Sequence, residues 1–364
     1  MSESYRIRKV SGQKSPTDPI FSAANPLIGP EAVSRWLDSA AQPVAVTGGT
    51  GFVGSHLVDT LCAAGVRPRV LVRDPKSPRW IGACPVDWVK GGLENRDSLN
   101  LLVQGAGTVV HLAGVLRGAN EAEFMAGNRE GTASLVRAIR EGAPTARLVH
   151  VSSQAAIGPS ATLDGVLPST GAKPVSAYGR SKLGAEEEIR GFSEGDWAIL
   201  RPPAIYGPRD TDIFEFFRLA SRGVIGVPSG ERWITVAYVR DVVRAVLAVA
   251  AVGGHGKTYH VGEVSPMKME DMVQTIADEG GVSARVVRIP PWLLRAAGSG
   301  ASVLRYLGLH RIPLSRDKAE EILARHWVLN TSDSLDSLGL DEVTLFREGV
   351  KSAWDWYRRA GWLR

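Results

Sequence analysis

Residues 43–54 constrain this chain more than any other stretch: Pro-Val-Ala-Val-Thr-Gly-Gly-Thr-Gly-Phe-Val-Gly. A short apolar run, Val44 to Val46, enters a glycine-dense turn, and Val53, Leu57 and Leu61 then recur at helical spacing. The reading is strand, tight turn, helix. Gly48 and Gly49 permit the sharp turn, Gly51 lets backbone come close to a pyrophosphate, and Gly54 lets helix and strand pack closely. The free N–H groups at the helix start then face the phosphates. Gly49, Gly51 and Gly54 fit G-x-G-x-x-G, a pattern too common to mean much without a strand before it and a helix after it. Both are present here, so the stretch predicts a dinucleotide site, with a purely structural turn as the bland alternative.

Strand-like runs at 70–73, 86–90, 108–112 and 148–152 alternate with helical patterns at 97–103 and 121–139, and a strand at 197–200 follows a helix beginning near Ala177. This alternation predicts an α/β fold, a doubly wound parallel sheet of Rossmann type with a smaller C-terminal α/β substrate lobe. The 364 residues suffice for both. The expected division is an N-terminal extension, 1–40, then a dinucleotide-binding domain, 41–202 with 235–262, and a lobe, 203–234 with 263–364. Pro30 opens a short amphipathic helix in the extension, expected to pack on the body, and no apolar stretch there resembles a secretory signal. The formal charge is +5 with scattered basic residues, so nucleic acid is not implied and weak attraction to a cofactor or membrane surface is all the charge supports. Cys62 and Cys84 make no disulfide framework. Cys62 is expected as a small buried apolar residue, and a reduced, cytoplasmic setting fits. No metal site and no membrane-spanning segment are expected.

The second strand ends Val72-Arg73-Asp74-Pro75, about 20 residues past the last glycine, where the ribose is read in such folds. Asp74 suits the ribose hydroxyls of NAD, whereas Arg73 suits the 2′-phosphate of NADP. Because Arg73 comes first after the apolar run, NADP is expected, with NAD open. Further on, Ser152 and Ser153 close a strand, and ligands sit beyond the carboxyl ends of strands in open α/β sheets. Tyr178 and Lys182 stand four apart, on one helix face. A neighbouring ammonium, together with an oxidised nicotinamide, can bring a phenol toward neutrality, as acid–base work requires. Ser153 can donate to the substrate oxygen.

With Thr47-Gly48-Gly49-Thr50-Gly51-Phe52-Val53-Gly54, the serine pair, Tyr178-x-x-x-Lys182 and the run from Arg201 to Pro208, the chain resembles the extended short-chain dehydrogenase/reductase superfamily from Val44 onward. His111-Leu112-Ala113-Gly114 and Asn128 ahead of Gly131-Thr132 belong to the likeness. The resemblance implies Ser153, Tyr178 and Lys182 as the catalytic triad. It implies cofactor contacts from Gly48, Thr50, Gly51, Phe52, Val53, Gly54, Arg73, Leu93, Leu112, Ala113, Gly114, Pro203 and Ile205, besides Tyr178 and Lys182. Val-Arg-Asp-Pro at 72–75 looks like the NADP-reading turn of the dihydroflavonol-reductase branch.

Departures from the family pattern narrow the expectation. Gly91-Gly92-Leu93 lacks the acidic residue that often touches adenine, and Gln154-Ala155 lacks the acid pair of dehydratases. Ala204 and Ile234 stand where sugar-nucleotide epimerases place diphosphate-gripping Asn and Arg, though Arg232 is only two residues off. The implied activity is alcohol–ketone interconversion on a largely apolar small molecule, steroid-, polyketide- or phenolic-like. Two alternatives stand beside it: a sugar-nucleotide epimerase and a non-catalytic NADP-sensing protein. In the lobe, Phe214, Phe216, Phe217, Leu219 and Trp233 supply apolar character. The segment from Pro290 to Leu309 reads as a buried lobe helix, with a helix over a pocket mouth or on a membrane surface as the other reading. A homodimer is left open.

Overall fold

The structure is a computed structural model that describes residues 42–306 and 316–363. The extension 1–40, with its Pro30 helix, and the end of the apolar segment at 307–309 lie outside the described residues. The strands β1 (Val44–Thr47), β2 (Arg69–Val72), β3 (Asp87–Lys90), β4 (Thr108–His111), β5 (Arg147–Val151) and β6 (Trp197–Arg201) join Lys257–His260 in one sheet. The order from one edge is Lys257–His260, β6, β5, β4, β1, β2, β3, and every pairing is parallel. The order reverses between β1 and β4, which opens a crevice beyond their carboxyl ends.

The strands are apolar almost throughout because both faces are covered. Val44 and Val46 point to one side, where α1 (Phe52–Ala63) and the helix Val239–Val252 bury Leu57, Leu61, Val242 and Val246. Ala45 points to the other, against Leu99 and Leu102 of α2 (Arg96–Val103). After α3 (Glu121–Met125) the chain makes a π-helical turn, Ala126–Glu130, and continues as α4 (Gly131–Gly142). The helix expected at 121–139 is therefore interrupted, and the turn places Asn128 inward. A short helix α5 (Gln154–Ile157) follows β5, and α6 (Ala177–Arg190) carries Tyr178 and Lys182.

Beyond β6 the chain builds a second core. Phe217, Met272, Ile276, Trp354 and Tyr357 are its buried centre. The C-terminal helix Phe346–Arg359 packs into it, with Trp354 Nε1 donating to the Ile276 carbonyl at 2.7 Å. One expectation is borne out here and one corrected. Phe214 and Phe217 face Tyr357, Trp354 and Trp362 at ring separations of 4.7 to 5.4 Å, so the apolar residues of the lobe anchor this helix as core. The helix Pro291–Tyr306 is not a buried lobe helix: Trp292 is 69% exposed and Leu293 46%. The helix Arg316–Leu323 packs against it, and Trp292 and Leu293 stay outside that contact.

Cys62 is only half-buried, a further correction. It sits at the outer end of α1, and Cys84 beside it hydrogen-bonds Asp59 at 3.0 Å. Among the described residues no helix is long and apolar enough to cross a membrane.

Candidate active site

The carboxyl ends of β1, β2, β4, β5 and β6 lie along one edge of the sheet, and the glycine turn sits at its middle. Gly48 has φ +72°, and a Cβ there would lie 2.6 Å from the Ala113 nitrogen, so only glycine lets β1 turn beside the β4 exit. A Cβ on Gly54 would fall 2.2 Å from the Gly48 carbonyl oxygen, which is why the helix can seat directly on the turn. Gly49 is different: its place is set by packing, since a Cβ would meet Val70 at 2.7 Å and Val58 at 3.2 Å. Gly51 opens α1 with no side chain capping it, leaving first-turn N–H groups available beside Thr50, Phe52 and Val53. A backbone cradle that side chains would fill, at an uncapped helix start, fits a dinucleotide pyrophosphate.

Arg73 is exposed directly after β2 and makes no hydrogen bond or ion pair among the described residues. Asp74 instead accepts from the Lys76 N–H at 3.0 Å, closing its own turn. Ala113 donates its N–H to Thr47 Oγ1 at 3.2 Å, and Gly114 is held against Asn128, whose Oδ1 a Cβ would approach to 2.9 Å. Leu112 and Ile205 pack on the core's edge, Pro203 is buried beside Gly262, and Leu93 packs against Gly131.

Ser153 leaves β5 as the cap of α5, its Oγ accepting from the Ala155 N–H at 3.1 Å. Tyr178 stands in the first turn of α6, half-buried, beside Ser153 and edge-on to Phe124 at 6.0 Å. Lys182, one turn on, is 5% exposed and donates to the Val151 carbonyl at 2.9 Å. The structure thus brings Ser153, Tyr178 and Lys182 together. It also shows what the protein's own groups contribute to the phenol. Burial pushes the Tyr178 phenol up to about 12; Ser153 draws it back, while Glu321 and Asp212 push it further. The Lys182 ammonium gives one N–H to the Val151 carbonyl, and burial lowers it to about 8 against the opposing pull of Glu186. The protein's own charges therefore do not supply the lowering that the four-residue spacing suggested.

A second layer holds this set, and the motifs named Ser152, Arg201, His111 and Asn128 in it but not Glu186. Ser152, the other half of the serine pair, gives its hydroxyl to Glu186 at 2.6 Å. Glu186 has no exposure and takes the Arg201 guanidinium on both oxygens, at 2.9 and 2.6 Å. Burial alone would raise that carboxyl, but Arg201, Ser152 and Arg190 hold it below its ordinary value. The signal in the sequence was a glutamate one turn past Lys182 on the same helix face. His111 is buried between Thr47 at 2.7 Å and Thr132 at 2.9 Å, and burial lowers it to about 3, so it is a neutral strut. Asn128 reaches Ser181 Oγ at 2.8 Å and both backbone groups of Val115, pinning α6 to the β4 exit.

In the lobe, Ala204 pairs with Val236 and Ile234 with Met267, so neither place offers a donor for a diphosphate. Arg232, the residue two positions off, is 8% exposed, and its Nη1 faces the carbonyls of Ser229 at 2.5 Å and Gly230 at 2.9 Å. A cavity of about 300 Å³ beside it is lined by Arg232, Lys268, Glu270 and Arg288, but not by Ser153, Tyr178 or Lys182.

Three comparisons bear on this geometry. The sequence model of the NAD dependent epimerase/dehydratase family matches residues 44–262. A ceramide reductase of Caulobacter vibrioides is 33% identical over 330 residues, covering 88% of this chain and 96% of that one. A 4-hydroxy-2-methyl-3-oxo-4-farnesyl-3,4-dihydroquinoline-1-oxide ketoreductase of Stigmatella aurantiaca is 28% identical, over 87% of this chain and 96% of that one. In fold, a dTDP-glucose 4,6-dehydratase of Streptomyces venezuelae solved with NAD superposes with a TM-score of 0.72 at 22% identity, covering 88% of this chain and 99% of that one.

Proposed function

Because this chain belongs to the NAD-dependent epimerase/dehydratase family and is an oxidoreductase acting on hydroxyl or keto groups, we propose that it is an NADP(H)-dependent ketoreductase of an apolar, chain-bearing ketone. An oxidised ceramide-type lipid is the first candidate. The observation that carries the reading is the meeting of Ser153, Tyr178 and Lys182 at the sheet edge that holds the glycine cradle. Arg232 turned to backbone carbonyls and the absent donors at 204 and 234 favour an apolar substrate over a sugar nucleotide, because a diphosphate without paired donors is costly to desolvate. The names of the two relatives, a lipid and a farnesylated ring, support the same class.

When bound, the reduced dinucleotide supplies a hydride to the carbonyl carbon. The glycine turn and the start of α1 would hold its pyrophosphate, and Arg73 its 2′-phosphate, Asp74 being engaged in its own turn. Tyr178 gives its proton to the carbonyl oxygen, and its high value keeps it protonated for that role near neutral pH. Ser153 donates a hydrogen bond to the same oxygen. Lys182, tied to Val151 through one N–H, has two further donors for the nicotinamide ribose. Exposed Trp292 and Leu293 would meet the lipid surface in which such a substrate dissolves, and loss of sedimentation with anionic vesicles in Trp292→Glu checks that role.

A panel of apolar ketones, including an oxidised ceramide, followed at the nicotinamide absorbance with NADPH and NADH tests the proposal. Turnover with NADPH is expected. No turnover on any of them, together with micromolar UDP binding that salt weakens and Arg232→Ala abolishes, would transfer the assignment to an epimerase.

A further inference from the structure

The start of α6 is closed by residues that lie far away in sequence. The first N–H groups of a helix have no partner inside it. Here the Ala177 N–H donates to Asp317 Oδ2 at 2.8 Å, across 140 positions. The Gly179 N–H donates to Ser176 Oγ at 3.1 Å, and the Ser176 hydroxyl in turn donates to Glu321. Glu321 is 9% exposed, and its other oxygen takes Lys318 at 2.9 Å. Asp317 and Glu321 belong to the helix Arg316–Leu323, which Arg295 ties through Glu320 to the exposed helix Pro291–Tyr306. Trp327 adds a second tether by donating to the Glu321 carbonyl at 2.6 Å. Tyr178 is the second residue of the helix turn so capped.

We propose that Glu321 is a positioning residue for the reaction: with Asp317 it seats the helix Arg316–Leu323 on the first turn of α6, so that the Tyr178 hydroxyl is set by the docking of the substrate lobe. The inference rests on the reading of Tyr178 as proton donor. Two carboxylates at a helix start are favoured by the partial positive charge there, so the docking is electrostatically matched as well as hydrogen-bonded. Glu321 also acts on the phenol through space, in the sense that keeps it protonated. Other charges on the packed elements are largely paired: Glu121 and Asp317 share Arg180, and Asp212 is bridged by Arg117. Lys182 lies one turn on, turned to Val151.

Glu321→Gln keeps an acceptor for Ser176 and removes the charge, whereas Glu321→Ala removes both. Tyr178 is followed in two ways, by the pH profile of ketone reduction and by phenolate absorbance, with Tyr178→Phe as the blank that isolates its step. In Glu321→Gln the alkaline limb and the phenolate step should both move to lower pH, by about half a unit to one unit. In Glu321→Ala and Asp317→Ala the turnover number should fall roughly tenfold, a loss on the scale of misplacing a reacting group, while the cofactor dissociation constant stays unchanged. A parental turnover number in Glu321→Ala, with Tyr178→Phe inactive, would overturn the positioning role and leave the acid assignment standing. Full turnover by Tyr178→Phe would overturn the acid assignment instead, and the phenolate step would still decide whether Glu321 couples to Tyr178.

Discussion

Arg73 and Asp74 are neighbours at the end of β2, and one hydrogen bond separates their roles. The Asp74 carboxylate holds the Lys76 N–H, while the Arg73 guanidinium is exposed with no partner among the described residues. If Arg73 reads a 2′-phosphate, Arg73→Ala should weaken NADPH binding roughly 10- to 100-fold and leave NADH little changed. Fluorescence titration of both cofactors measures this, and equal weakening of the two would return the ribose to Asp74. Tyr178 offers the matching prediction for chemistry. Tyr178→Phe removes the proton and keeps the ring that meets Phe124 edge-on, so turnover should drop by about 10²-fold or more with cofactor affinity preserved. Steady-state rates and cofactor titration on one preparation give both numbers, and near-parental turnover would end the assignment.

At the scale of elements, the site depends on how closely α1 approaches the β1 turn. Gly54→Ala would place a methyl 2.2 Å from the Gly48 carbonyl oxygen, a backbone atom with no room to yield. The helix start must then lift off the turn, at a cost of about 1–3 kcal/mol for overpacking. The expected outcome is a folded protein of lower melting temperature that has lost most dinucleotide affinity. Unchanged affinity by calorimetry would show that the turn is not the cradle. The π-helical turn Ala126–Glu130 is the other element-scale device. It turns Asn128 inward to bind Val115 and Ser181, locking α6 against the strand-end loop opposite.

For the whole molecule, buried titratable groups decide how stability responds to acid. Burial lowers His56 and His111 to about 3, His260 to about 4, and His150 well below its ordinary 6.5. Each is neutral in the fold, so its contribution is fully present above 6.5 and is lost as pH falls, because the unfolded chain takes the proton first. Asp210 and Glu263 act the opposite way: burial raises both to about 7, so their contribution is present in acid and lost as pH rises toward that value. Four histidines against two carboxyls leave a net uptake of about two protons on unfolding between the two ranges, so acid should destabilise. Urea midpoints should fall from about pH 7 to about pH 5, and a midpoint constant or rising over that interval would contradict the balance.

What the sequence determined by itself was the frame and the reacting groups. Strands buried on both faces must be apolar almost throughout, glycines are required at the sharp turn after β1, and Tyr178 and Lys182 share a helix face, so periodicity and local sterics point to the fold, and the family resemblance adds Ser153, Tyr178 and Lys182 as the reacting groups. Only the tertiary structure decided what those groups meet. That Ser152 serves the buried Glu186–Arg201 pair, that Arg232 is turned to backbone carbonyls, that Phe217 is core while Trp292 is exposed, and that Asp317 and Glu321 close the helix of Tyr178 are all contacts between residues distant in the chain. Local pattern carries no trace of such pairings, because the partners lie far apart in the chain, 140 positions in the case of Ala177 and Asp317, and only the packing of their elements brings them within hydrogen-bond reach.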